Sequence, residues 1–433
     1  MLAFFNSQFW SYILLPITLI SCVILGVKFG FFKFSKILKI IKTAFSKTDK
    51  SSGVSPFGAL CIALSGTMGV GNIAGVGVAI ALGGVGSIFW LIVCAFLCLP
   101  LKFAEVALAS HYKIIKKDGF RGGLMYVVEN AFPKFRPLSI FFCILLIISS
   151  IGTGGISQSG SAGVMLGTAF GLPKIVTGTI IGIICLVLMC SKTAKLSKFS
   201  SIFVPILSAV FIIGCVAVIF ANFDKLPDAV CEIFDYAFDF DATFGGLSGF
   251  TVSSAVRYGL SRGIFTNETG MGTAPIVHSE ANSTPEKQGA MGVVEVLFDT
   301  VIMCPIVALA IITSGVHRTC EISPINFTAD AFGSVFGATG ESFVAIATLL
   351  FAIGAVVGWG FYGKRAVEYL CKSKTATYLY AVVFCTLTAL GATIPELDIF
   401  NLADIFNGLM MLPNIAVTLT LKKCATEIAH KIN

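Results

Sequence analysis

Long apolar runs separated by short polar stretches fill the chain from end to end. The run from Ser51 to Leu101 contains no Asp, Glu, Lys or Arg. At about 20 residues per bilayer crossing it is long enough for two. Hydropathy and breaker residues together predict about eleven crossings. Their approximate bounds are Trp10 to Phe31, Pro56 to Leu82, Ser87 to Ser110, Leu138 to Thr168, Ile175 to Cys190 and Ile202 to Phe220. The later ones are Phe244 to Ala281, Gly289 to Ser314, Ser342 to Ala366, Ala376 to Leu390 and Ile399 to Leu421.

Two of these runs carry signs of interruption. The first holds Gly66-Thr67-Met68-Gly69-Val70-Gly71-Asn72-Ile73-Ala74-Gly75 near its middle, and the second is broken near 263–272. Each glycine costs a helix about 1 kcal/mol against alanine, so several together argue for a break. At membrane depth, the amides and carbonyls that a break frees must find partners in protein, water or a ligand. Gly69-x-Gly71-x-x-Ala74 also mimics a dinucleotide fingerprint, but that motif needs a preceding strand and a βαβ unit, and neither fits here.

Charge sets the topology. Basic stretches at 33–50, 111–136, 192–198, 364–374 and 422–431 are separated by even numbers of crossings, so all fall on one face. The positive-inside rule makes that face cytoplasmic, with the N-terminus outside and the C-terminus inside. The stretch 222–242, with six acidic residues against Lys225 alone, then lies outside. The expected organisation is an extra N-terminal helix with a basic linker (1–50), a five-helix unit (51–221), an extracellular acidic loop (222–243), a second five-helix unit (244–422) and a cytoplasmic tail (423–433). Each unit begins with a broken helix, and the odd number of crossings per unit orients them oppositely. Interrupted helices at matching positions of two inverted halves point to a secondary transporter.

Composition narrows the class. Of 433 residues, 56% are hydrophobic and 12% charged, and the mean hydropathy is +0.91. This excludes a soluble globular domain. The net charge of +7 reflects basic cytoplasmic loops rather than nucleic-acid binding. Fourteen cysteines lie scattered with no C-x-x-C pair, so neither a zinc site nor a redox motif is indicated. The four histidines lie apart in sequence.

The chain resembles the sodium:alanine (alanine or glycine:cation) symporter family from about residue 57 to 420. The matching residues are Gly69-Val70-Gly71-Asn72-Ile73-Ala74-Gly75-Val76, Ala81-Leu82-Gly83-Gly84, Phe89-Trp90 and Lys102-Phe103-Ala104-Glu105. They continue with Arg262-Gly263-Ile264-Phe265-Thr266-Asn267-Glu268-Thr269-Gly270-Met271-Gly272-Thr273-Ala274-Pro275, Phe298-Asp299-Thr300, Cys304, Gly358-Trp359 and Tyr362-Gly363. The resemblance implies an all-α polytopic LeuT-type 5+5 inverted repeat and symport of a small neutral amino acid, alanine or glycine, with Na⁺. It also marks Gln158 as a substrate ligand. The sequence departs from the family where a Ser-Thr pair in a sodium shell reads Gly354-Ala355. It departs again at Lys364 in place of an acidic residue, at Glu295 in place of a small one, and at Val85 in place of a proline.

The candidate site follows. Gly69, Val70 and Gly71 would present amides to a substrate carboxylate. Asn72 would either contact substrate or ion, or brace the break. Phe265, Thr266 and Thr269 are candidate substrate contacts, and Trp359 a pocket wall. Thr67, Gly69, Asn72, Thr266, Asn267, Gly354 and Ala355 are candidate ion ligands. Glu268 is an ionisable residue inside a crossing and hence a functional candidate, or else a cap of the second half-helix. Glu295 and Asp299, spaced i,i+4, are candidates for proton handling if both are buried. Alternatively Asp299 is structural and Glu295 reaches an aqueous path. Lys102 and Glu105 read as a local i,i+3 pair. No cofactor or metal beyond Na⁺ is expected, and the partners are the amino acid, Na⁺ and the bilayer. The rival readings are a proton- or other-cation-coupled carrier, a channel, which needs a continuous polar pore, and a membrane enzyme, for which no nucleophile–base pair is present.

Overall fold

The runs fold as helices. In the computed structural model, which describes residues 2–46, 54–116, 119–191, 193–238, 252–319, 323–394 and 396–432, the crossings are numbered α1 to α11. They are α1 Trp10–Phe29, α2 Pro56–Thr67 plus Val70–Gly83, α3 Ser87–His111, α4 Pro133–Phe170, α5 Lys174–Met189 and α6 Thr193–Ala221. After these come α7 Val252–Asn267 plus Ala274–His278, α8 Pro285–Ser314, α9 Ala338–Cys371, α10 Lys374–Gly391 and α11 Glu396–Thr420. Seven helices are individually long and apolar enough to span a membrane, and the two halves of α2, bent by 45°, together add an eighth. Helix α3 is deeply buried by its neighbours, packing chiefly on α7 and α8.

The breaks are not equivalent. In α2 the chain leaves helical geometry at Met68 and Gly69 and resumes at once with Val70–Gly83. In α7 the break lies at 268–273, later than the expected 263–272, because Gly263 stays helical where it packs against Cys94 of α3. The second half of α7 is a little over one turn, Ala274–His278. The predicted start of that run, 244–251, lies outside the described residues. Helices α4 and α8 each widen to π-helical turns, at Ser150–Ser157 and Leu297–Met303. Such turns recur where a helix serves a functional site.

Stretches expected as linkers carry helices of their own. The basic linker contains Phe34–Ala44. The acidic segment is not a loop but the helix Leu226–Phe238, with Ala229, Ile233 and Ala237 buried at four-residue spacing. Mean hydropathy passes over such segments because their signal is a 3.6-residue period. Lys36 Nζ donates to the carbonyl of Ala429 (3.0 Å) and Lys287 Nζ to that of Ser46. Lys113 Nζ donates to Ser283 O (3.0 Å), Arg121 meets Glu368 (3.6 Å), and Arg365 Nη2 donates to Thr193 Oγ1 (2.8 Å). These contacts tie all five basic stretches together on one face.

Close approach is tight at Gly154 in the wide turn of α4. A methyl there would lie 2.1 Å from Trp359 Cβ and 2.5 Å from its Cγ. The Cβ is fixed to the α9 backbone and cannot rotate away. Overpacking of this kind costs about 1–3 kcal/mol, more than the ~1 kcal/mol that alanine gains over glycine in a helix. Gly154→Ala therefore lowers the thermal midpoint of the purified protein in detergent. An unchanged or higher midpoint would mean that α4 and α9 separate freely.

Candidate functional site

The two breaks face one another across a small cavity. Gly66, Thr67 and Gly71 line it from α2, and Phe265, Thr266, Glu268 and Met271 from α7. Thr153 and Gln158 of α4, Trp359 of α9 and Asn407 of α11 complete it. Its free volume is ≈ 20 Å³, room for about one water molecule. Beside it opens a cavity of ≈ 440 Å³. Gly71, Gln158 and Phe265 border both, so they partition the site from a vestibule. The vestibule reaches Asn6 and Trp10 at the start of the chain, Leu82 at the end of α2 and Asp404 near the start of α11.

At the α2 break, Val70 N donates to Gln158 Oε1 (2.9 Å) and Gly69 N to Thr67 O (2.9 Å). The side chain of Gln158 thus occupies a half-helix N-terminus, where an anion is favoured. Asn72 is turned to α8. Its Nδ2 donates to Asp299 Oδ1 (2.5 Å) and Asp299 O (3.3 Å), while its buried Oδ1 has no hydrogen-bond partner among the described residues. The Thr300 hydroxyl lies 3.3 Å from Asp299 Oδ2. Ala355 packs against Gly69. Gly354 borders a separate, mainly apolar gap with Ser65, Met68, Phe203 and Phe351.

The α7 break is held by side chains from α3 and α11. Glu268 (φ 51°), Gly270 (φ 83°) and Gly272 (φ 77°) are left-handed, which glycine adopts freely and glutamate only under strain. Thr273 Oγ1 donates to Glu268 Oε2 (2.6 Å), and Thr269 N to Asn267 Oδ1 (3.0 Å). Lys102 Nζ donates to Asn267 O (2.9 Å) and Glu295 Oε1 (3.0 Å), placing a cation at the C-terminus of the first half-helix. Gly270 N donates to Glu105 Oε1 (3.3 Å). Asn414 Nδ2 donates to Glu105 Oε2 (2.6 Å) and Gly270 O (2.9 Å). Glu295 Oε2 lies 3.1 Å from His278 Nε2, whose Nδ1 lies 2.9 Å from Gln288 Oε1.

Two expectations are corrected. Lys102 and Glu105 are not a local pair. Both face the unwound backbone of α7, and each finds hydrogen-bond partners there and on α8 or α11. Nor does Glu295 reach water: it is 1% exposed and bound to Lys102. Thr67, Thr266, Gln158, Gly71, Phe265, Glu268 and Trp359 do line the small cavity. Asn72, Asn267, Thr269 and Asp299 are buried around it, whereas Val70 borders the vestibule.

Sequence reading missed Thr153, Met271, Asn407, Asn414 and the supporting His278 and Gln288. Asn407 and Asn414, seven residues apart on one face of an apolar run, were the available signal. Four buried carboxylates, Glu105, Glu268, Glu295 and Asp299, cluster here around one buried ammonium, that of Lys102.

A helical membrane protein with two interrupted helices meeting at a buried polar site is a secondary transporter of the inverted-repeat, LeuT type. Its fold resembles that of MhsT in complex with L-phenylalanine: TM-score 0.62 at 15% identity, covering 88% of this chain and 99% of that one. It also resembles the Eremococcus coleocola manganese transporter, with a TM-score of 0.52 at 12% identity over 88% and 81%. The chain matches the sodium:alanine symporter family over residues 1–432 and belongs to it. It is 32% identical over 421 residues to the sodium/alanine symporter AgcS of Methanococcus maripaludis, covering 95% of this chain and 92% of that protein. It is 31% identical to the probable sodium/glutamine symporter GlnT of Bacillus subtilis, covering 96% and 87%.

Proposed function

We propose that the protein carries a small neutral amino acid, alanine or glycine, inward together with Na⁺. The observation that carries this reading is the acidity of the site: four carboxyl groups are buried with the ammonium of Lys102 and the imidazole of His278, and added positive charge would stabilise their ionised form. A substrate ammonium and a coupling cation supply it. The substrate carboxylate takes the place of Gln158 Oε1 at the Val70 end of α2, and its side chain meets Trp359, Phe265 and Met271. The walls leave ≈ 20 Å³ between them, which favours a small side chain. The cation lies between Asn72 Oδ1 and Asp299, with Thr266 nearby on α7. With the basic face cytoplasmic, the vestibule opens outward and the N-terminus is outside.

Proton coupling is the second reading. The gap at Gly354 offers no hydroxyl from α9 where the family tends to place a sodium-shell pair, so one cation site of the usual kind is lacking. Uptake of labelled alanine into proteoliposomes separates the two. A sodium gradient drives accumulation above equilibrium, and collapsing it abolishes the accumulation. Accumulation on a proton gradient alone overturns sodium coupling, and no accumulation on any gradient overturns symport.

A further inference from the structure

The helix Phe34–Ala44 in the basic linker has three unlike faces. It packs on the first half of α8, and on that side Ile40 and Ala44 are 0% exposed. Phe34, Leu38 and, just beyond the helix, Phe45 fall on one stripe at helical spacing. They are 73%, 52% and 60% exposed. Lys39 and Lys42 are exposed along the neighbouring stripe, and Lys33 is exposed just before the first turn. The first acidic residue of the chain is Asp49, so the helix has no negative charge of its own to balance these lysines.

The position of this helix follows from its connections. α1 ends at Phe29, and Gly30 (φ 70°) turns the chain. Phe31 N donates to Gly26 O (3.0 Å) and Lys33 N to Gly30 O (3.3 Å), so residues 30–33 form a tight turn rather than a tether. The Phe31 ring packs on Phe29 and Phe103, with centroids 5.8 and 5.6 Å away. The helix therefore starts at the depth where α1 leaves the hydrocarbon. Its inward side is fastened by Lys36 to Ala429 O and, just past its end, by Lys287 to Ser46 O. An amphipathic helix held at this depth, with lysines beside an apolar stripe, has the pattern of one that lies in the plane of the membrane surface.

We propose that the helix Phe34–Ala44 lies in the headgroup layer and binds anionic phospholipid. Phe34, Leu38 and Phe45 enter the boundary of the acyl chains, and Lys33, Lys39 and Lys42 meet the headgroup phosphates. A zwitterionic headgroup carries the same phosphate, but its own ammonium offsets the attraction, so the site selects lipids of net negative charge. Each lysine at an anionic surface contributes roughly fivefold in affinity. The site is independent of which amino acid or ion the protein carries, and so goes beyond the transport reading.

Fluorescence quenching in vesicles tests this. The full chain carrying Leu38→Trp is reconstituted into phosphatidylcholine containing a minor fraction of brominated lipid, either phosphatidylglycerol or phosphatidylcholine. The signal is the fluorescence added over the wild type, which has Trp10, Trp90 and Trp359. Brominated phosphatidylglycerol should quench as if at least about fivefold more concentrated around the helix than brominated phosphatidylcholine. Adding Lys39→Gln and Lys42→Gln, both exposed positions, should bring that ratio close to one while both lipids still quench, because the apolar stripe remains. Inorganic phosphate in place of chloride at equal ionic strength should leave the preference unchanged; if it erases the preference, the site is one for free anions. Equal quenching by the two lipids before the lysines are removed overturns the lipid site, as does a preference that survives their removal. Quenching by neither lipid shows a helix turned to water or to another protein, and overturns it as well.

Discussion

Lys102→Met abolishes transport and removes much of the protein's stability. The ammonium is fully buried and bridges Asn267 O and Glu295 Oε1. Methionine fills similar volume but leaves the Asn267 carbonyl without its donor and leaves His278 as the remaining side-chain contact of Glu295. Removing one partner of a buried ion pair typically costs about 3–5 kcal/mol, because the other charge stays behind. That is a large share of the ~5–15 kcal/mol by which folded proteins usually exceed the unfolded state. Function suffers separately, since Lys102 fixes the carbonyl end of the half-helix that presents Thr266 and Glu268. The measurement is the thermal midpoint in detergent for Lys102→Met, Glu295→Gln and the double variant. The double variant should be less destabilised than the sum of the singles, because it leaves no unpaired carboxylate. Strict additivity would show that the two side chains do not depend on each other.

Asp299→Asn should leave the fold intact and remove most of the response to sodium. An asparagine there can still offer a carbonyl oxygen to Asn72 Nδ2, so the contact between α2 and α8 survives. The formal charge does not. Asp299 is 0% exposed, and among the described residues its side-chain hydrogen-bond partners are the neutral Asn72 and Thr300. Under the proposed function, the coupling cation supplies the counter-charge when it binds. Losing a buried charge that pairs with its ligand costs about 2 kcal/mol or more, which is about thirtyfold in affinity. The sodium concentration for half-maximal alanine uptake should rise by at least that factor while the thermal midpoint hardly moves. An unaltered sodium requirement would remove Asp299 from the cation site.

These two carboxylates show what the linear chain reveals and what it hides. Glu295 and Asp299 stand four apart on α8 and read as equivalent. In the fold, one faces Lys102 and His278, and the other faces Asn72. Residues far apart in sequence decide that difference: 193 positions separate Lys102 from Glu295, and 227 separate Asn72 from Asp299. The same holds for Glu105, whose spacing to Lys102 suggests a local pair. The freed amide of Gly270, 165 residues away, takes it instead.

The broken helices were legible because their cause is local. Glycine density inside an apolar run lowers helical stability wherever it occurs, and the runs themselves follow from the length of a bilayer crossing. Their positions were less so. Gly263 remains helical because α3 packs on it, and the α7 break moves on to Glu268, Gly270 and Gly272, where left-handed backbone is held by Thr273, Glu105 and Asn414.

From the sequence alone came the membrane class, the two interruptions, the common face of the basic stretches and the family. The first three depend on composition and periodicity that each segment carries by itself, and the family on the resemblance of its motifs. Only the tertiary structure assigned Lys102, Glu105 and Asn414 to the exposed peptide groups of α7, set Gln158 on the amide of Val70, and gathered Arg121, Glu280, Arg365 and Glu368 at one end. A buried polar group must be satisfied by whatever approaches it, and what approaches is fixed by the packing of helices rather than by neighbours along the chain.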